Sequence, residues 1–218
     1  MGHDMSGNFY RSENPYTDPL FTRHINKPIK TIVEIGCNRY QYTYDLLKVY
    51  NPDIVYAFEG HPKCYDYCEK NITDPRLVFV SKAVCSYNGT TDFYGLGFTE
   101  DTTCSSVYER VHLKELQEPK ITVSCTRLDT FFENKNHTKI DLLCMDIQGS
   151  ELSAMESLGE MIKDVDYIIL ELTNPGVVVH KDCPPYEEYI NFFNKNGYEI
   201  VETIWENFLE NNIMVVKK

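Results

Sequence analysis

Four carboxylates in this sequence stand at the ends of short apolar runs. Glu34 lies in Ile32-Val33-Glu34-Ile35-Gly36, Glu59 follows Ala57-Phe58, Asp146 follows Leu142-Leu143-Cys144-Met145, and Glu171 follows Ile168-Ile169-Leu170. An acid at the tip of a buried strand faces solvent and ligand, while the core fixes the backbone behind it. Two chemistries suit such acids. A carboxylate about 20 residues beyond a glycine-bearing first loop accepts the hydroxyls of a ribose, and Glu59 lies 25 residues after Glu34. Acids on adjoining strands, as expected for Asp146 and Glu171, take a proton from a nucleophile or give oxygen ligands to a divalent cation. Gly36 lets the backbone turn tightly beside a nucleoside, and the loop continues Cys37-Asn38-Arg39-Tyr40. It lacks the second and third glycines of a pyrophosphate-binding turn, which argues against a nicotinamide-dependent oxidoreductase.

The elements that must position these acids alternate. Strands are expected over 31–35, 54–58, 77–81, 121–125, 140–145, 167–170, 198–203 and 213–216, with a less regular alternation over 91–94. Helices are expected over 42–50, 62–71, 150–162 and 185–196, the last closed by Gly197. Strand and helix in alternation imply an α/β fold, a parallel sheet covered on both faces, with ligands at the carboxyl ends of the strands. Residues 1–28, rich in Asn, Pro, His and Tyr, have no apolar period and read as a flexible arm, either a lid over bound substrate or partly the remnant of an added tag. No linker interrupts 29–218, so a single domain is expected there, with an insertion near 87–125.

Composition narrows the partners. The chain has 218 residues, 21 Lys and Arg against 33 Asp and Glu, and a net charge of −12. A phosphate backbone calls for a basic face, so nucleic acid and anionic membrane surfaces are not expected as partners. No apolar run approaches the roughly 20 residues that span a bilayer, and no signal pattern opens the chain, so a cytoplasmic location is expected. Eight scattered cysteines, mostly in apolar runs, read as reduced thiols.

The segments Val33 to Thr43, Ala57-Phe58-Glu59, Thr126-Arg127-Leu128-Asp129, Asp146-Ile147-Gln148-Gly149-Ser150-Glu151 and Leu170-Glu171, in this order, resemble the FkbM-type methyltransferases. The likeness covers roughly residues 31–203 and is most specific at the Ala-Phe-Glu strand end and the Asp-x-Gln-Gly-x-Glu turn. It implies a Rossmann-like class I methyltransferase fold, a mostly parallel seven-stranded sheet with helices on both faces and an antiparallel last strand. It also implies S-adenosylmethionine as cofactor and, as in many members, a sugar hydroxyl as acceptor. Carried over by position, Glu34, Gly36 and Asn38 would lie by the cofactor's methionine part and Glu59, followed by Gly60, on its ribose. Ser81, Lys82 and Ala83 would lie near the adenine, and Asp146 would face the transferable methyl. The sequence departs from the family at Tyr40 (usually Gly nearby), Gly60 (often Pro) and Cys144 (often Lys).

A sugar hydroxyl is a poor nucleophile while protonated, so a base or a metal is expected beside it. Asp146 is the first candidate base, His180 the second, and Glu171 completes the catalytic set; Asp146 and Glu171 are also the candidate ligands for a divalent metal. Ser105 and Ser106 are candidate acceptor-binding residues. Phe9, Tyr10, Tyr16, Phe93, Tyr94, Phe98 and Tyr108 offer aromatic faces to a sugar ring. The function expected is S-adenosylmethionine-dependent O-methylation of a glycan or glycoside, with a deoxyhexose among the acceptors considered. The alternatives are methylation of a non-sugar small molecule or a protein, or a non-catalytic cofactor-binding module.

Overall fold

A computed structural model of the chain describes residues 14–95, 102, 104–112, 116–133, 135 and 139–218. Ten strands are present among them: β1 (Thr31–Ile35), β2 (Ile54–Phe58), β3 (Leu77–Val80), β4 (Ala83–Val84), β5 (Gly89–Phe93), β6 (Ile121–Thr126), β7 (Leu142–Met145), β8 (Tyr167–Thr173), β9 (Tyr198–Trp205) and β10 (Glu210–Lys217). The helices are α1 (Pro19–Thr22), α2 (Thr43–Tyr50), α3 (Pro62–Lys70), α4 (Leu128–Phe132), α5 (Glu151–Glu156) and α6 (Tyr186–Lys195).

Seven strands form the main sheet in the order β3-β2-β1-β7-β8-β10-β9. Strands β1, β2, β3, β7 and β8 pair in parallel, and β10 runs antiparallel to both its neighbours. The order reverses direction between β1 and β7, so their carboxyl ends open a crevice. All five residues of β1 and all four of β7 are buried, as expected for central strands covered on both sides. One core, around Val33, Leu143, Ile168 and Tyr189, fills one face. The other holds Ile32, Cys144, Ile169 and Met214. Strands β4, β6 and β5 make a separate three-stranded sheet within 83–126, in the region expected as an insertion.

Local signals set several boundaries. His61 caps α3 by accepting the Lys63 N–H at 3.2 Å, with Pro62 in the first turn. Gly197, at φ +75°, follows the end of α6.

Three expectations are corrected and one element is new. Residues 14–28 are not a flexible arm: Asn14 and Asp18 cap two short helical turns, and Tyr16 and Phe21 are 1% and 0% exposed within the second core. The apolar anchors there are too few and too close together for a period to show. The helix expected over 150–162 breaks after Glu156, and Gly159–Asp164 continues as a 3-10 turn starting at a glycine with φ +54°. Helix α4 had no expectation at all. Strand β8 runs three residues past Leu170, which places Glu171 inside it, opposite Asn212. Residues 1–13 and 96–101, which carry Phe9, Tyr10 and Phe98, lie outside the described residues.

Candidate active site

A cleft opens at the carboxyl ends of β1, β2 and β7, where an α/β sheet of this order places its ligand. Gly36, Asn38, Glu59, Gly60, Lys82 and Ala83 line it, with Ser105 and Asp146. Glu34, Ser81, Ser106, Glu171 and His180 do not.

Gly36 sits at φ +86°, and a Cβ there would come within 2.1 Å of the Asp146 carbonyl oxygen. Only glycine fits where the first loop passes the end of β7. The next turn is held by Glu59, which is 7% exposed. Its two oxygens accept the backbone N–H groups of Asn38 at 2.8 Å and His61 at 2.7 Å. Each carboxylate oxygen has a second lone pair, so both can still accept a ribose hydroxyl. Burial pushes the Glu59 carboxyl up to about 7, against the pull of these N–H donors. Asn38 is at φ +49°, a conformation asparagine tolerates, and its side-chain oxygen accepts the Thr102 hydroxyl at 2.7 Å.

Glu34 departs from its expected role. Its carboxyl is 1% exposed and accepts the Thr43 hydroxyl from α2. Burial pushes it up to about 8, despite that hydrogen bond. It braces the loop from beneath.

Asp146 and Glu171 stand side by side, because Met145 on β7 is opposite Leu170 on β8. The Gln148 side-chain amide donates to Asp146 Oδ1 at 3.0 Å and to Glu171 Oε2 at 2.7 Å. Burial raises Asp146, and hydrogen bonds from Gln148 and Glu171 lower it again. Glu171 is raised far more strongly, by burial first and then by the charges of Asp146, Glu210, Glu151 and Glu206. Burial and mutual proximity thus act together against a second charge on the pair. No group of three or more His, Cys, Asp or Glu with metal-holding geometry occurs among the described residues.

His180 is buried, 2% exposed, where the loop after β8 pairs with Arg110. Burial, and then the Arg110 charge, push its imidazole down to about 4, so it is neutral at neutral pH and a weak proton acceptor. Its Nε2, the Arg110 Nε and the Ser105 hydroxyl are buried without a hydrogen-bond partner. Ser106 is differently engaged: its hydroxyl donates to the Gln148 carbonyl at 2.8 Å and accepts the Tyr108 N–H. That commits it to the protein and removes it from the acceptor-binding set.

Phe93, among the aromatic side chains considered for a sugar ring, lines the cleft, and Tyr42, Thr102 and Ser150 also line it and were not expected there. Tyr42 and Ser150 lie inside motifs that were identified. Thr102 arrives by long-range packing, for which no local signal exists.

All eight cysteines are free thiols. Among the described residues no helix is long and apolar enough to cross a membrane.

Comparison with known proteins agrees with this geometry. The family model described as the methyltransferase FkbM domain matches residues 24–200. The 2-O-methyltransferase NoeI of Sinorhizobium fredii is 27% identical over 160 residues, which span 69% of this chain and 66% of that one. Among solved structures, Aeropyrum pernix fibrillarin with bound S-adenosylmethionine superposes with a TM-score of 0.54 at 12% identity, covering 88% of this chain and 70% of that one. A Listeria monocytogenes protein described as a putative S-adenosylmethionine-dependent methyltransferase gives 0.53 at 11% identity, covering 90% and 95%. At such identities the two structures speak for the fold alone, the Rossmann-like methyltransferase sheet. The chain spans about two thirds of the length of the curated relative it matches. The strand order, the first-loop glycine, the acid at the mouth of β2 and a family match across most of the chain converge: this chain belongs to the FkbM methyltransferase family.

Proposed function

We propose that the chain is an O-methyltransferase whose acceptor is a hydroxyl of a sugar, in a glycan or glycoside, with deoxyhexosides the first class to test. The observation that carries this reading is Asp146, a carboxylate at the mouth of β7, lining the same cleft as Gly36 and Glu59 and held by an amide that it shares with Glu171. Three further observations support a sugar. The relative NoeI is a 2-O-methyltransferase. The buried, unpartnered atoms of Ser105, Arg110 and His180 are the kind of groups that bind hydroxyls. The −12 charge does not suit a polyanionic acceptor.

The residues present fit the cofactor. Glu59 would hold its ribose, the Gly36 turn would give its methionine part room, and Lys82 and Ala83 would flank the adenine. When bound, S-adenosylmethionine supplies an electrophilic methyl and leaves as a neutral thioether. The chain's own task is then to align and deprotonate the acceptor. Alignment alone contributes up to about 7–11 kcal/mol in favourable cases. Asp146 takes the hydroxyl proton and releases it to solvent. Glu171 keeps its proton throughout and limits the charge beside Asp146. His180, buried behind the cleft wall, does not act as the base, whereas Ser105, which lines the cleft, is placed to hydrogen-bond the acceptor.

The test is transfer of labelled methyl from S-adenosylmethionine to a panel of deoxyhexose and hexose glycosides, with mass and linkage analysis of products. A methyl ether on one sugar hydroxyl is expected. Transfer only to non-sugar or protein acceptors would contradict the sugar assignment, and cofactor binding without any turnover would point to a non-catalytic module.

A further inference from the structure

Gln148 sits between the two catalytic carboxylates in a conformation that a glutamine rarely adopts. Its φ is +54°, in the left-handed region that disfavours residues with a Cβ. Such strain persists where the surroundings over-determine it, and it clusters at functional sites. Here the surroundings are explicit. The Glu151 carboxylate accepts the N–H of Ile147 at 3.0 Å and of Gly149 at 3.1 Å, one on each side of Gln148. The Ser106 hydroxyl fixes the Gln148 carbonyl from the segment beyond the second sheet. Gly149, at φ +99°, passes Cys183 so closely that a Cβ would lie 2.8 Å from its sulfur.

The side chain is 7% exposed. Both atoms facing its amide nitrogen are carboxylate oxygens, so the NH2 end must point to them, with one hydrogen for each. Two ionised carboxylates this close repel strongly, and a single proton between them removes that repulsion. The other ionisable groups acting on the pair are Tyr16 from the N-terminal segment, Glu34 on β1, Glu59 after β2, Glu151 on α5, and Glu206 and Glu210 of the last hairpin. All of them are acids; Glu151, Glu206 and Glu210 oppose a second charge on Glu171, and Glu206 opposes the charge on Asp146. Arg110 acts on Glu210 in the opposite sense.

We propose that Gln148 is a positioning residue for methyl transfer: its side-chain amide clamps Asp146 and Glu171 together, and the Ser106 hydroxyl, through the Gln148 backbone carbonyl, holds the turn that aims it. This rests on Asp146 being the base in the reading above. The strained backbone is the device that lets one side chain reach back to Asp146 and across to Glu171 together.

The test compares Gln148→Leu and Gln148→Gly with the wild type. Gln148→Gly removes the amide and also the backbone strain, so its Tm is expected to stay level or rise. Both variants are expected to lose about 10- to 100-fold in kcat, with the S-adenosylmethionine Kd within about twofold of wild type, and to shift the midpoint of the kcat–pH rise upward by about one unit. The midpoint rises because Asp146 loses the donor that stabilises its charge. A second measurement needs no acceptor: the Asp146 carboxyl titration, followed by carbon-13 NMR, is expected to move upward in Gln148→Leu. Wild-type kcat and pH midpoint in Gln148→Gly would overturn the proposal, as would a kcat loss that follows Tm alone. If the wild type methylates no sugar, the sugar assignment fails by itself, and an unmoved Asp146 titration would then overturn the clamp.

Discussion

The two halves of the cleft manage buried acids in opposite ways. Beneath β1 and β2, each carboxylate is satisfied separately by its own chain neighbourhood: Glu34 by Thr43, nine residues on, and Glu59 by the N–H groups of Asn38 and His61. At the ends of β7 and β8 the two carboxylates share one side-chain amide, that of Gln148, whose backbone carbonyl accepts the hydroxyl of a serine 42 residues away in sequence. The first arrangement leaves lone pairs free and suits binding. The second brings two acids together so that they titrate as a pair, which suits proton transfer. Binding and transfer therefore reside in separate hydrogen-bond networks, and the two should fail separately.

The largest effect expected from breaking that division is at Asp146. Asp146→Asn keeps the shape and the Gln148 contact but cannot accept a proton, and removing a general base costs about 10²- to 10⁴-fold in rate. Single-turnover transfer of labelled methyl measures this, and the cofactor Kd should be unchanged. Next comes Glu59→Gln, which replaces one hydroxyl-accepting oxygen by a donor. Hydrogen bonds to charged groups contribute about 1.5–3 kcal/mol, so cofactor affinity by calorimetry should fall about 10- to 100-fold, with the rate at saturation retained.

The smallest effect concerns stability. Glu34 and Glu59 are raised by burial to about 8 and about 7 in the folded protein, against 4.5 ordinarily. Their protonated forms are thus favoured by folding, so the stability they contribute is present at acid pH and lost as pH rises towards about 8. The Tm of the cofactor-free protein should fall over that range. Glu34→Gln, which needs no proton, should flatten the slope while leaving transfer near the wild-type rate.

The same contrast explains what was legible in the sequence. Strand positions, the order of elements and the acids at their tips follow from apolar runs and spacing, because central parallel strands have no choice but to be apolar. Glu59 was identifiable because its partners lie within a turn of two motifs. Gln148 was not, although it stands in the most specific motif, because its role depends on Glu171 reaching it from a neighbouring strand and on Ser106 from the segment between β5 and β6. His180 illustrates the opposite error. Its residue type suggested a base, but burial beside Arg110 leaves it too weak a proton acceptor. The N-terminal segment 14–28 hid its role in two side chains, Tyr16 and Phe21, which fill a core that the rest of the chain creates.

The division between binding and transfer is tested most directly by measuring, on one preparation of each variant, the S-adenosylmethionine Kd and the single-turnover rate of methyl transfer to a sugar glycoside for wild type, Glu59→Gln and Asp146→Asn. The account predicts that Glu59→Gln moves only the Kd and Asp146→Asn only the rate. Loss of cofactor binding in Asp146→Asn, or a wild-type transfer rate in it, would contradict the account.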